Sequence, residues 1–175
     1  MDTHYFARRI RLVPDWPEPG VQFRDITPLL RDGEAFHALI EAFASRYADA
    51  RIDAVAGIDA RGFIIGAALA YRLGCGFIPV RKAGKLPFDT VGEAYTLEYG
   101  ESSVEVHTDA AKAGDHVLII DDLMATGGTL LAAARLMRRL GARIIEAAVV
   151  IDLVDLGGAA RLAAEGIQEY ALLRY

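Results

Sequence analysis

A chain of 175 residues is sized for one domain and long enough to bury about 70% of the surface that its unfolded form exposes. Apolar residues make up 53%, charged residues 25% and aromatics 9%, a mixture that excludes disordered, collagen-like and low-complexity architectures. Nineteen Lys and Arg against 24 Asp and Glu leave a net charge of −5, which speaks against a broad basic surface for nucleic acid and leaves any anionic ligand to a local site.

The segment Met1 to Ile10 carries charges where a signal peptide needs an unbroken apolar core. Gly62 to Tyr71, the longest uncharged stretch near the middle, is far short of the roughly 20 residues of a membrane span. A cytoplasmic protein without membrane contact is expected. The single cysteine, Cys75, excludes an intramolecular disulfide and reads as a small buried hydrophobe. His4, His37, His107 and His116 share no metal-ligand spacing.

Four of the six prolines fall in the first thirty residues, so after one short helix around Tyr5 to Leu12 this arm should be irregular and extended, a cover more than a core. Phe36, Leu39, Ile40 and Phe43 have the spacing of a helix over Glu34 to Tyr47, with Asp32 as its N-cap. Ala54 to Ile58 reads as a strand that stops at Asp59, Gly62 to Leu73 as a buried helix, and Phe77 to Val80 as a second strand. Arg81-Lys82-Ala83-Gly84-Lys85-Leu86-Pro87 has no periodicity and predicts a mobile basic loop. Tyr95 to Tyr99 and Ser103 to His107 pair as a hairpin turning at Gly100-Glu101-Ser102. Val117 to Ile120 is a buried strand that ends in Asp121-Asp122, and Thr126-Gly127-Gly128-Thr129 opens a helix running to about Leu140, with Gly141 as its C-cap. Ala147 to Ile151 ends at Asp152, a short helix takes Gly158 to Ala164, and Tyr170 to Leu173 is the last strand. Strands alternating with helices predict an α/β fold, a central mostly parallel sheet flanked by helices.

Such sheets bind ligands beyond the carboxyl ends of their strands. Ala125-Thr126-Gly127-Gly128-Thr129 puts two glycines and two hydroxyls where a helix begins, so that backbone N–H groups converge on an anion. No Lys follows the glycines, which favours a monophosphate over a nucleoside triphosphate; taken alone, the pair is equally a tight strand-to-helix turn. Asp121 and Asp122 are costly to desolvate side by side, and as acceptors they suit the hydroxyls of a ribose or assist a cation. Phosphate cradle and diol acceptors together describe a site for ribose 5-phosphate.

The run Val117 to Thr129 resembles the 5-phosphoribosyl diphosphate (PRPP) signature of the type I phosphoribosyltransferases. Three further segments in the same order resemble the adenine phosphoribosyltransferases: Pro19 to Leu30 their base-binding hood, Gly57 to Phe63 their pyrophosphate loop, and Arg81 to Pro87 with Tyr95 to Gly100 the two ends of their flexible catalytic loop. The resemblance implies one domain over residues 1–175, with a hood over residues 1–33 and a flexible loop and hairpin over residues 81–107. It implies transfer of a phosphoribosyl group from PRPP to adenine, Mg2+ bound mainly through PRPP and pyrophosphate, with Asp121 and Asp122 acting at most through water, and a homodimer. It places adenine between Phe23 and Leu123, with Gln22 backbone groups reading the exocyclic amine and Arg24 and Arg61 nearby; for Arg24, a structural ion pair with Asp25 is weighed above ligand contact. PRPP and AMP fall to Asp59, Ala60, Arg61, Arg81, Lys82, Lys85, Tyr99, Asp121, Asp122 and the stretch Ala125 to Thr129, with Lys85 and Lys82 favoured over Arg81 for pyrophosphate and the Asp59–Ala60 peptide expected to be cis. Glu98 becomes the acid and base at a purine ring nitrogen, with Arg61 and Lys85 its catalytic companions. A transferase for another base shares the PRPP signature without this hood. A non-catalytic sensor on the same fold is the rival from another class, against which intact Arg61, Lys85 and Glu98 argue.

Overall fold

The computed structural model describes residues 3–97 and 100–175, which group into two units, Met1–Arg46 and Tyr47–Tyr175. In the first, α1 (Thr3–Ala7), β1 (Arg11–Pro14), β2 (Gln22–Asp25), α2 (Thr27–Arg31) and α3 (Gly33–Arg46) follow in order. The helix expected to reach Leu12 stops at Ala7, because Leu12 and Val13 are drawn into an antiparallel pair opposite Arg24 and Phe23. The arm is therefore less irregular than its prolines suggest: they lie in the turn or at element ends, where a missing N–H is tolerated. Residues 15–21 reverse the chain with Asp15 at φ 55°, Gly20 at φ 90° and a cis Trp16–Pro17 bond. Gly20 N–H donates to Asp15 Oδ1 at 2.7 Å. Asp32 caps α3 as expected, its Oδ1 accepting the N–H of Ala35 at 3.1 Å while Oδ2 takes Arg9 Nε at 2.7 Å.

The second unit contains β3 (Ala54–Ile58), α4 (Arg61–Leu73), β4 (Gly76–Lys82), β5 (Thr90–Leu97), β6 (Gly100–His107), β7 (His116–Met124), α5 (Gly128–Arg139), β8 (Arg143–Asp152), a 3-10 turn (Val154–Leu156), α6 (Gly158–Ala164) and β9 (Glu169–Arg174). They form one seven-stranded sheet in the order β5-β6-β4-β3-β7-β8-β9. It is parallel from β4 to β9, with β5 and β6 antiparallel at one edge. This is the expected α/β architecture.

Several elements run beyond their sequence limits, because ladder bonding recruits residues whose side chains carry no strand signal. Strand β7 continues through the Asp pair to Met124, with Asp121 opposite Val149 and Met124 opposite Asp152. Arg81 and Lys82 close β4 by pairing with Glu105 and Val104, so the basic stretch begins in the sheet and not in a loop. The expected turn at Gly100 to Ser102 is instead ladder, opposite Leu97, Thr96 and Tyr95.

Two glycines let α4 lie against β7: a Cβ on Gly62 would stand 2.8 Å from the Ile120 carbonyl oxygen, and one on Gly66 2.8 Å from Ile120 Cγ2. Leu130, Ala133, Leu136 and Met137 of α5 join Val117, Ile119, Ala147 and Val149 in a single apolar cluster. Helix α5 ends with Gly141 at φ 86°. Its N–H donates to Arg138 O and that of Ala142 to Met137 O, both at 3.0 Å, a double closure that uses the left-handed glycine. Cys75 is half-buried and not fully enclosed, since it lies at the exposed C-terminus of α4. Among the described residues no helix is long and apolar enough to cross a membrane.

At the amino end of the sheet, Asp53 joins β3 to β7. Its Oδ2 accepts the His116 N–H at 2.8 Å and lies 3.0 Å from His116 Nδ1, while Oδ1 takes Arg51 Nε at 3.2 Å. The His116 backbone and ring bonds, with Arg51, hold this carboxyl below the ordinary Asp range. A depressed folded pKa stabilises above the unfolded value, about 3.9, and that contribution is lost as the pH falls through the folded value. Asp53→Asn should therefore lower the melting temperature by a few degrees at neutral pH, and the gap to the unsubstituted chain should close on acidification below about pH 3.9, as read by thermal melts over that range.

Candidate active site

The parallel strands β3, β4, β7 and β8 end on the same edge of the sheet. The order of the strands reverses between β3 and β7, since β4 follows β3 to one side and β7 to β9 are added on the other, and open α/β sheets form their ligand crevice at such a point. Residues 59–60, 83–89 and 125–127 leave the sheet at this edge.

After β7 the chain turns at Gly127, whose φ of 77° suits glycine and which is the N-cap of α5. Asp121, Leu123 and the stretch from Ala125 to Thr129 line a concavity of about 130 Å3, room for a phosphate-sized group at a helix start. The loop is supported from behind by α6, the helix expected over Gly158 to Ala164, in a role that the sequence does not announce. A Cβ on Gly158 would lie 2.5 Å from Ala125 O, one on Gly127 3.1 Å from Gly158 O, and Arg161 Nη1 donates to Thr126 O at 3.0 Å. The Gly157-Gly158 doublet was the available signal, but it read only as the start of a helix.

Successive side chains of a strand point to opposite faces, and the two aspartates divide accordingly. Asp122 is 4% exposed and accepts a hydrogen bond from Arg61 Nε, the first residue of α4. That ion pair gives a guanidinium at a helix N-terminus, where the dipole opposes it, a compensating partner. Asp121 lines the concavity, and its Oδ1 accepts the Asp122 N–H at 2.8 Å. Burial, and then the charge of Asp122, push the Asp121 carboxyl well above the ordinary range.

The Asp59–Ala60 peptide is cis. Asp59 Oδ2 accepts Arg81 Nε at 3.3 Å, and Arg81 Nη1 donates to Lys85 O at 2.9 Å. Glu105 of β6, 8% exposed, accepts the N–H groups of Lys85 and Leu86 on Oε1, both at 3.1 Å, and the Thr90 hydroxyl on Oε2 at 3.3 Å. Burial pushes the Glu105 carboxyl up, but the N–H groups of Leu86, Gly84 and Lys85 and the Thr90 hydroxyl outweigh it and hold it below the ordinary Glu range. The stretch expected to be mobile is thus tied at both faces of the Lys85 backbone, since a buried acceptor faces it from the neighbouring strand.

In the N-terminal unit, Gln22, Phe23 and Arg24 lie in β2. Phe23 packs edge-on against Trp16 with ring centroids 4.5 Å apart. Asp25, placed opposite Arg11 by the β1–β2 register, pairs with it at 3.7 Å and accepts the Thr27 N–H at 2.9 Å and hydroxyl at 2.7 Å. Glu98 and Tyr99 lie outside the described residues. Among the described residues no group of three or more His, Cys, Asp or Glu is placed to hold a metal.

The phosphoribosyl transferase domain family model matches residues 28–162, a span that takes in the switch-point crevice and its glycine cradle, and gives the class of the protein. An adenine phosphoribosyltransferase of Methylibium petroleiphilum is 59% identical over 174 residues, 99% of this chain and 89% of that protein. The solved adenine phosphoribosyltransferase of Rhodothermus marinus has a TM-score of 0.93 at 46% identity, covering 99% of this chain and 98% of that one. The enzyme of Saccharomyces cerevisiae, solved with an imino-altritol bisphosphate and adenine, has a TM-score of 0.92 at 36% identity and 98% coverage of both chains. The chain belongs to the adenine phosphoribosyltransferase family.

The support from α6 generates a prediction. Gly158→Ala forces the loop at Ala125 to move, and calorimetry should show the affinity for ribose 5-phosphate falling about tenfold or more, the effect of misaligning one or two charge-assisted N–H bonds.

Proposed function

We propose that the chain transfers the 5-phosphoribosyl group from PRPP to adenine, giving AMP and pyrophosphate in purine salvage. The observation that carries this reading is the phosphate-sized concavity at Ala125 to Thr129 with the Asp121 carboxylate in its wall. The choice of adenine is supported by relatives of that name along 99% of the chain and by the yeast relative, solved with adenine.

Substitution at the ribose anomeric carbon passes through a state of oxocarbenium character. The protein's work is to hold the phosphate, orient the ribose, neutralise the leaving pyrophosphate and exclude water. Backbone N–H groups and hydroxyls from Ala125 to Thr129 take the 5-phosphate. Asp121 accepts ribose hydroxyls, and Asp122 acts on the same ligand by holding the guanidinium of Arg61 in place. Arg61, the Asp59–Ala60 peptide, Lys82 and Lys85 receive the pyrophosphate, with Arg81 holding the Lys85 carbonyl. Gln22 through its backbone, Phe23, Arg24, Arg61 and Leu123 are assigned to the base, and Tyr99 to the closed catalytic loop. Glu98 accepts a proton at a purine ring nitrogen in the forward direction and returns it in reverse.

Asp121, in the wall of the concavity with Asp122 behind it, would reach Mg2+ through water. The cation, bound mainly through PRPP and pyrophosphate, offsets charge on the leaving group. We assign the chain to the cytoplasm from its charged first ten residues, and to a homodimer as the family resemblance implies. Residues 1–33 serve as the hood and residues 81–107 as the catalytic loop and hairpin of one domain, with the loop held at Lys85.

Steady-state assays of adenine, hypoxanthine, guanine, xanthine and orotate with PRPP should give AMP from adenine, dependent on magnesium; preference for an oxopurine overturns the substrate assignment. Glu98→Ala should retain PRPP binding in calorimetry while turnover falls about 100-fold or more, and full activity in that variant removes Glu98 from the mechanism.

A further inference from the structure

We propose that Glu105 is a positioning residue for pyrophosphate departure: it gathers the backbone N–H groups of Lys85 and Leu86 onto one carboxylate oxygen and so sets the place from which Lys85 reaches the leaving group. The inference rests on the pyrophosphate role given to Lys85 above.

A negative charge beside an anion-binding loop opposes that loop's task by Coulomb repulsion, so a carboxylate there needs another reason, and its contacts supply one. The loop over residues 83–89 makes backbone bonds at its ends, Ala83 N–H to Ser103 O at 3.2 Å and Thr108 N–H to Asp89 O at 2.9 Å. Between those ends, the N–H groups of Lys85 and Leu86 are met by Glu105 Oε1 at 3.1 Å each. The carbonyl of Lys85 is held from the other side by Arg81 Nη1 at 2.9 Å, and Arg81 Nε reaches Asp59 at 3.3 Å. Arg81 and Glu105 also stand opposite each other in the short register that joins β6 to β4. The Arg81–Glu105 pair, one of the two that attach the hairpin to the sheet, therefore also fixes both sides of the Lys85 backbone. Catalytic cations need such support, because a displacement of about 1 Å costs rate steeply.

What Glu105 supplies is acceptor geometry and not charge, and two substitutions separate these. In Glu105→Gln, the amide oxygen still accepts both N–H groups and the amide nitrogen can donate to the Thr90 hydroxyl. Glu105→Ala leaves both N–H groups without their acceptor. Steady-state kinetics should show Glu105→Ala raising the KM for PRPP about tenfold or more with the KM for adenine changed less than about twofold, and Glu105→Gln restoring the PRPP value to within about threefold. Amide hydrogen exchange at Lys85 and Leu86 should accelerate in the Ala variant and stay slow in the Gln variant. An unchanged PRPP KM in Glu105→Ala, a parallel rise in both KM values, or a Gln variant as impaired as the Ala variant overturns the proposal. If Glu105→Ala does not fold, Glu105→Gln decides: protected amides with a near-normal PRPP KM support it, and a raised PRPP KM refutes it. Absence of AMP formation by the unsubstituted chain refutes the enzyme reading separately; pyrophosphate affinity by calorimetry, with amide exchange in the same variants, then reads the Glu105 role by itself.

Discussion

The carboxylate of Asp122 is buried at the end of a central strand, and a buried charge persists only with a partner. Arg61 provides it. This pair joins the start of α4 to the end of β7, the two elements that flank the crevice, and the closeness it requires is made possible by glycine where α4 meets Ile120. Neither group is well placed alone: the guanidinium sits against the dipole of its own helix, and the carboxylate sits out of water. Together they fix the Arg61 guanidinium at the crevice, while Asp121 lines the cradle.

Around that pair the remaining parts form nested supports. The cradle depends on a left-handed glycine and on the close approach of Gly158. Arg161 steadies the loop through Thr126 O. On the opposite side of β3, the basic segment after β4 is held by Arg81 and Glu105. The hairpin strand β5 is itself clamped to α5, since Glu93 receives Arg135 at 3.3 Å and Arg139 as well, while Arg139 donates to Gly92 O at 3.0 Å. A helix that starts at the cradle thus also steadies the strand leading towards residue 98. With a net charge of −5, the chain concentrates backbone N–H groups and a few cations at one edge of the sheet, which an average over the whole chain hides.

Much of this was legible before any coordinates. The run from Val117 to Thr129 announced a buried strand, an acidic pair and a glycine turn into a helix, because period, composition and turn chemistry are local properties. The helix expected over Glu34 to Tyr47 forms over Gly33–Arg46, legible from its apolar stripe and its Asp32 cap, and the short helix expected over Gly158 to Ala164 forms there too. Less legible were the β1–β2 ladder, the extension of β7 through two aspartates, and the pairing of Gly100 to Ser102, since a ladder depends on a distant partner and accepts residues with no strand preference. The support residues Gly158, Arg161 and Glu105 were missed for a related reason. Each acts on a loop far from it in the chain.

The sequence by itself determined the α/β class, the position of the phosphate turn and the family to which its motifs point, because these rest on residue types at short fixed spacings. Only the tertiary structure decided how the acidic pair is shared, one carboxylate paired with Arg61 and the other in the wall of the concavity, and that the basic segment is held and not loose. Those outcomes depend on strand pleat, on which elements lie side by side and on which buried groups need a partner. Such constraints act between residues that the chain keeps apart and the fold brings together.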